Sequence, residues 1–155
     1  MGVPQDRSWS PVRVGCAALF VLVAGLATAA ARTYGMDTHH ATHDDIWWDE
    51  TCRRLTPPTA TDITLRRDLL DHEALYTIVE ADLDAFIDRS FARDGNPLRA
   101  TDVKGSVEAG RTIGPFGWSA GQDAVRYSYT PPNGASTHIY HDPTTGLTYQ
   151  ESAHW

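Results

Sequence analysis

The chain has 155 residues, with 20 acidic against 13 basic side chains and a formal net charge of −7. Such a surface repels nucleic acid and anionic lipid headgroups and suits a basic partner. Only Cys52 lies outside an N-terminal apolar stretch, which excludes a disulfide framework and leaves the hydrophobic core to hold one domain together.

The apolar stretch runs from Val14 to Ala31 without a charge. As a secretory signal, Gly15 to Leu26 is its core and Ala27 and Ala29 stand at an A-x-A cleavage site, with Ala29 and Ala31 as a second frame. As an uncleaved anchor, its helix spans roughly 27 Å, just enough for a hydrocarbon core of about 30 Å. Arg7 and Arg13 precede it, and Asp37, Asp44, Asp45, Asp49 and Glu50 follow. Positive charge stays on the cytoplasmic side, so the bulk of the chain is expected outside the cytoplasm under either reading. Residues 1–31 are thus read as a signal peptide or single-pass anchor. Without them, 11 basic residues face 19 acidic ones.

Residues 32–42, RTYGMDTHHAT, are polar and unpatterned and read as a tether. A single extracytoplasmic domain is expected over residues 43–155. Its first element is a helix over 43–55, capped by Thr42, with Asp44 and Asp45 in the first turn and Arg53 and Arg54 in the last. Asp49–Arg53 and Glu50–Arg54 are favourable i,i+4 pairs, and Pro57 and Pro58 stop the helix. Residues 60–66 alternate with Ile63 and Leu65 on one face, and residues 73–78 suit the returning strand of a hairpin. Thr77 and Glu80 have capping-box spacing ahead of a helix whose Leu83, Phe86, Ile87 and Phe91 share one face. Glycines break residues 98–123, apart from a short strand near Val103 to Val107. The last thirty residues read as a three-stranded antiparallel meander over 124–130, 137–141 and 147–152, with turns at 131–134 and 142–146. The expected class is α+β: an N-terminal apolar helix, a helix, a β-hairpin, a capped helix and the meander.

Three groups are candidates for chemistry. His39, His40 and His43 with Asp44 and Asp45 form the densest ligand cluster; imidazoles at i and i+4 on a helix can share a divalent transition metal, bound weakly here. Gly117-Trp118-Ser119-Ala120-Gly121 matches G-x-S-x-G, with Asp142 and His154 following in hydrolase order. A tyrosine-rich strand pattern follows that serine, where a nucleophile elbow requires a helix. Phe116 and Trp118 are candidate aromatic anchors for a binding surface, with Trp118 pinning the loop to the core as the alternative.

The runs Leu55 to Ile63, Glu80 to Phe86 and His141 to Gly146 resemble small exported bacterial proteins of unknown function, in which a proline-led strand, a capped helix and a C-terminal hairpin recur. The resemblance covers residues 55–150. It implies bacterial export and an α+β fold, and no activity. The leading functional expectation is a non-enzymatic exported or tethered domain that binds another cell-envelope component, a protein foremost. An envelope metal-binding protein is the second reading and a small serine hydrolase the third.

Overall fold

The computed structural model describes residues 35–68, 71–93, 96–130 and 135–153, together with helical residues at Leu19 and 21–23. The chain divides into two compact units, Met1–Tyr34 and Gly35–Trp155. Apart from Leu19 and 21–23, the apolar stretch lies outside the described residues, as do the 131–134 turn, His154 and Trp155. Among the described residues, no helix is long and apolar enough to cross a membrane.

The second unit is mixed α and β and mostly sheet. Its main sheet has seven strands, each pair of neighbours antiparallel, in the order β1-β2-β3-β11-β10-β9-β6. The strands are β1 (Asp37–Thr42), β2 (Thr61–Arg67), β3 (Asp71–Thr77), β6 (Lys104–Ser106), β9 (Val125–Tyr129), β10 (Ser136–His141) and β11 (Leu147–Ala153). Two two-stranded ribbons complete the β structure: β4 (Ala92–Arg93) with β5 (Asn96–Pro97), and β7 (Thr112–Ile113) with β8 (Trp118–Ser119). Among the described residues of this unit the α-helices are α1 (Glu50–Leu55), α2 (Glu80–Ser90) and α3 (Ala100–Val103). The expected hairpin and meander are both present. They join through β3 and β11, paired from Thr77 opposite Leu147 to Asp71 opposite Ala153, into one sheet.

Alternation along each strand divides the residues between two faces. One face presents Ile63, Leu65, Ala74, Tyr76, Tyr127 and Ile139 to the Leu83, Phe86 and Ile87 stripe of α2, all buried in one cluster. Gln150 sits in this apolar layer with its amide satisfied. It accepts from the Tyr76 hydroxyl at 2.9 Å and donates to the Leu55 carbonyl at 3.0 Å. The opposite face carries a second cluster of Trp118, Ala120, Ala124, Tyr140 and Tyr149. The β7–β8 ribbon lies over it, pinned where the Trp118 indole donates to the Leu147 carbonyl at 3.1 Å. Gly114, with φ +71°, lets the ribbon lie on the Tyr149 ring, since a Cβ there would stand 2.3 Å from Tyr149 Cζ.

Three local expectations are corrected. Residues 37–42, expected within the tether, form edge strand β1. An edge strand needs little apolar surface; β1 is held by its ladder to β2, by a two-bond Asp37–Arg66 pair at 2.7 and 3.0 Å, and by His39 against Thr64 at 2.9 Å. The helix expected over 43–55 is a 3-10 turn (His43–Asp45) followed by the shorter α1. Asp49 is the N-cap of α1: its Oδ1 accepts from the Thr51 and Cys52 amides, and Oδ2 pairs with Arg67 in place of the expected i,i+4 partner Arg53. The Thr77–Glu80 capping box does not form. Thr77 stays in β3 between Thr61 and Leu147, Val79 is the N-cap without a side-chain bond, and Glu80 pairs with Lys104.

Candidate functional site

The register of six strands places one polar residue from each in a single row. Asp37 lies opposite Arg66, Arg66 opposite Glu73, Glu73 opposite Glu151, Glu151 opposite His138, and His138 opposite Ser128. Residues directly opposite one another share a face, so the row crosses the sheet on the side away from α2. A groove of about 460 Å³ lies at the end of the sheet where Asp71, Ser136 and Ala153 meet, and its walls include Arg66, Glu73, His138 and Glu151 from the row, with His72 and Ser152 from the other face.

Glu73 and Glu151 both line the groove. Both are half-buried and stand side by side on neighbouring strands. Like charges in that arrangement repel, so the fold bears a small cost for them. The Tyr149 hydroxyl lies between the two carboxylates, 2.8 Å from Glu73 Oε1 and 3.5 Å from Glu151 Oε2. A hydroxyl has one proton to donate, and the shorter contact marks Glu73 as its acceptor. Burial first, and then the Glu73 bond, push the Tyr149 phenol far above its ordinary range, so it remains a donor. The Tyr140 hydroxyl reaches Glu151 Oε1 at 3.5 Å. These bonds occupy a minority of the acceptor positions of the two carboxylates.

Arg66, the arginine among the groove's walls, is already engaged. Arg66 is paired with Asp37 and lies over the Phe116 ring at 5.2 Å from its centre. Hydrogen bonding to Arg66 holds the Asp37 carboxyl below its usual value. His138 Nδ1 is 3.1 Å from Ser128 Oγ. The groove therefore presents a surplus of negative charge above a layer of tyrosines.

Of the described residues singled out in the sequence, Phe116 alone reaches the groove's edge. Phe116 borders the groove through its contact with Arg66 and packs edge-on to Tyr149, their centroids 6.2 Å apart. Trp118 is 1% exposed and belongs to the core, so it is no surface anchor. Among the described residues the exposed tryptophans are Trp47 and Trp48, with Trp48 beside the His40 ring.

The expected metal cluster is not assembled. His39 and His40 project to opposite sides of β1, His39 towards Thr64, while His40 Nε2 meets Thr38 Oγ1 at 3.1 Å. His43 is buried with Nε2 on the Arg53 carbonyl at 2.9 Å, and Asp44 pairs with Arg53 at 3.6 Å. Among the described residues, no three His, Cys, Asp or Glu side chains gather as a metal site. Ser119 sits in the two-residue strand β8, opposite Thr112, and not on a turn into a helix. His154 lies outside the described residues.

No protein-family model matches the chain, and no curated protein and no solved structure matches it either.

Glu73, Glu151 and the groove were missed in the sequence because they come together only through the β3–β11 pairing. The legible signal is phase. Glu73 alternates against buried Ala74 and Tyr76, which assigns it to the face opposite the apolar core.

A second titratable group is fully buried on the α2 side. His141 Nδ1 lies 2.8 Å from Thr148 Oγ1, and that hydroxyl reaches the Gly146 carbonyl at 3.2 Å. The carbonyl can only accept, so Thr148 donates to it and accepts from Nδ1–H. Neutral His141 then keeps a bare Nε2, which has no partner among the described residues. Burial holds its pKa below the ordinary histidine value, although Glu80, Asp142 and Asp84 pull the other way.

Proposed function

We propose that the Gly35–Trp155 unit is a non-catalytic binding module, exported or tethered at the cell envelope, whose groove takes a basic segment of another envelope protein. The observation that carries this reading is the Glu73–Glu151 pair, set side by side in the groove wall with the Tyr149 hydroxyl between them. An arginine side chain suits it well: its planar fork bonds carboxylates in pairs and packs flat against aromatic rings. The charge order around the apolar stretch supports export, with Arg7 and Arg13 before it and acidic residues after it. The overall charge of −7 favours encounter with a basic partner.

The test is a calorimetric titration of the full-length chain with an arginine-rich decapeptide at low and moderate salt. Saturable binding is expected, weakened by salt and by about tenfold or more in Glu73→Gln/Glu151→Gln. Glu108→Gln/Asp123→Asn, which removes exposed charges outside the groove, leaves it nearly unchanged. Equal weakening by the two double variants would reduce the effect to net charge and overturn the reading.

A further inference from the structure

A second cleft has the opposite sign. It lies between α1 and the C-terminal end of α2, with a volume of about 360 Å³, and its walls include His43, Glu50, Arg53, Arg54, Phe86 and Arg89. Three arginines from two separate helices converge on it. Arg53 and Arg54 lie in the last turn of α1 and Arg89 in the last turn of α2. A helix C-terminus attracts cations, which accounts for each arginine singly. It does not account for what neutralises them together.

Elsewhere four of the described cations are matched by a carboxylate, while Arg111 and Arg126 form no ion pair among the described residues. Arg66 pairs with Asp37, Arg67 with Asp49, Arg99 with Asp88 and Lys104 with Glu80. In the cleft only Arg53 has a carboxylate within reach, Asp44 at 3.6 Å. Arg54 and Arg89 form no ion pair among the described residues, and both are exposed. Asp44 and Glu50 together offset two of the three guanidinium charges at most. In an acidic chain the cleft thus keeps a local positive surplus, and Phe86 with Pro58 gives it an apolar wall.

We propose that this cleft binds a small phosphate monoester carrying an apolar group. A phosphate monoester has close to two negative charges at neutral pH and three strong acceptor oxygens. Arg54 and Arg89 supply paired donors in the fork geometry that phosphate accepts. The volume lies at the lower end of the range for small-molecule sites, about 300–1,000 Å³. The apolar wall separates an organic ester from the free ion. The site is distinct from the acidic groove and does not depend on it.

The experiment titrates the full-length chain with phenyl phosphate and, separately, with inorganic phosphate, each at constant ionic strength, followed by calorimetry and by the arginine side-chain NMR signals. Phenyl phosphate should saturate, move the Arg54 and Arg89 signals, and bind more tightly than inorganic phosphate. Arg54→Gln/Arg89→Gln should weaken it by about tenfold or more, and Arg54→Lys/Arg89→Lys, which keeps the charge and loses the fork, should fall between. Both pairs replace exposed side chains, and an unchanged circular dichroism spectrum verifies the fold. Arg111→Gln should bind as the parent does. Binding that never saturates, or is unchanged in Arg54→Gln/Arg89→Gln, overturns the site. Equal affinity for the two probes overturns the organic ester.

Discussion

The two faces of the main sheet are built on opposite plans. The α2 side is closed, with Ile63, Leu65, Tyr76 and Ile139 meeting Leu83, Phe86 and Ile87, and its polar intruder Gln150 bonded to Tyr76 and Leu55. The other side is half closed. A glycine-bearing ribbon caps Tyr140 and Tyr149, and beyond it the sheet shows a charged row to solvent. The first plan maximises burial, which is the main favourable contribution to folding. The second keeps two like carboxylates adjacent, which burial does not reward. Asp37, Arg66, Glu73 and Glu151 stand in register on four adjacent strands of this face. That contrast is the basis for assigning function to the open face.

The largest effects separate the two sides by what each supports. Leu83→Ala and Trp118→Ala should each cost about 2–5 kcal/mol in denaturant unfolding, as buried side chains. Under conditions where both fold, only Trp118→Ala should weaken peptide binding, because it releases the ribbon over Tyr149. Equal binding loss in both variants would erase the distinction. Gly114→Ala comes next. Its φ of +71° and the Tyr149 ring in the path of a Cβ predict a loss of about 1–3 kcal/mol, with binding reduced alongside.

The closed side should also reveal itself through pH. His141 is depressed by burial, so the unfolded chain takes up its proton more readily than the folded one. The contribution is whole above the unfolded value of about 6.5 and is lost as pH falls below it towards the folded value. Asp49 adds a second loss at lower pH. Burial opposes its ionisation, but bonds from Cys52 and Arg67 outweigh that and hold its carboxyl below the ordinary value. Unfolding free energies measured from pH 8 to pH 3 should show both steps, and His141→Gln should remove the first alone. The smallest effect is Glu73→Gln/Glu151→Gln. Relief of the like-charge pair should leave stability unchanged or raise it by up to about 1 kcal/mol while binding is lost. A large destabilisation would mean that the pair is structural.

Much of the architecture was legible in local patterns. Ile63 and Leu65 marked β2 by alternation, Leu83, Phe86 and Ile87 marked the buried face of α2, and turn residues delimited β9, β10 and β11. What failed was local polar chemistry that tertiary pairing overrode. Thr77 had a capping partner in sequence and a strand on each side in space. Residues 37–42 lacked apolar signal because an edge strand can be held by its ladder and an Asp37–Arg66 pair. The groove was the least legible feature. Glu73 and Glu151 meet only when the first hairpin and the last strand pair, and no local window contains both. The histidines at 39, 40 and 43 stood out by composition, yet a strand and a turn point them apart.

The most direct test is chemical-shift mapping of the arginine-rich peptide on the labelled full-length chain. Saturable shifts are expected at Glu73, Tyr149 and Glu151 and their neighbours across β3, β11 and β10, with α1 and α2 unmoved. Shifts spread over the acidic surface without a centre, or centred away from β3 and β11, would contradict it.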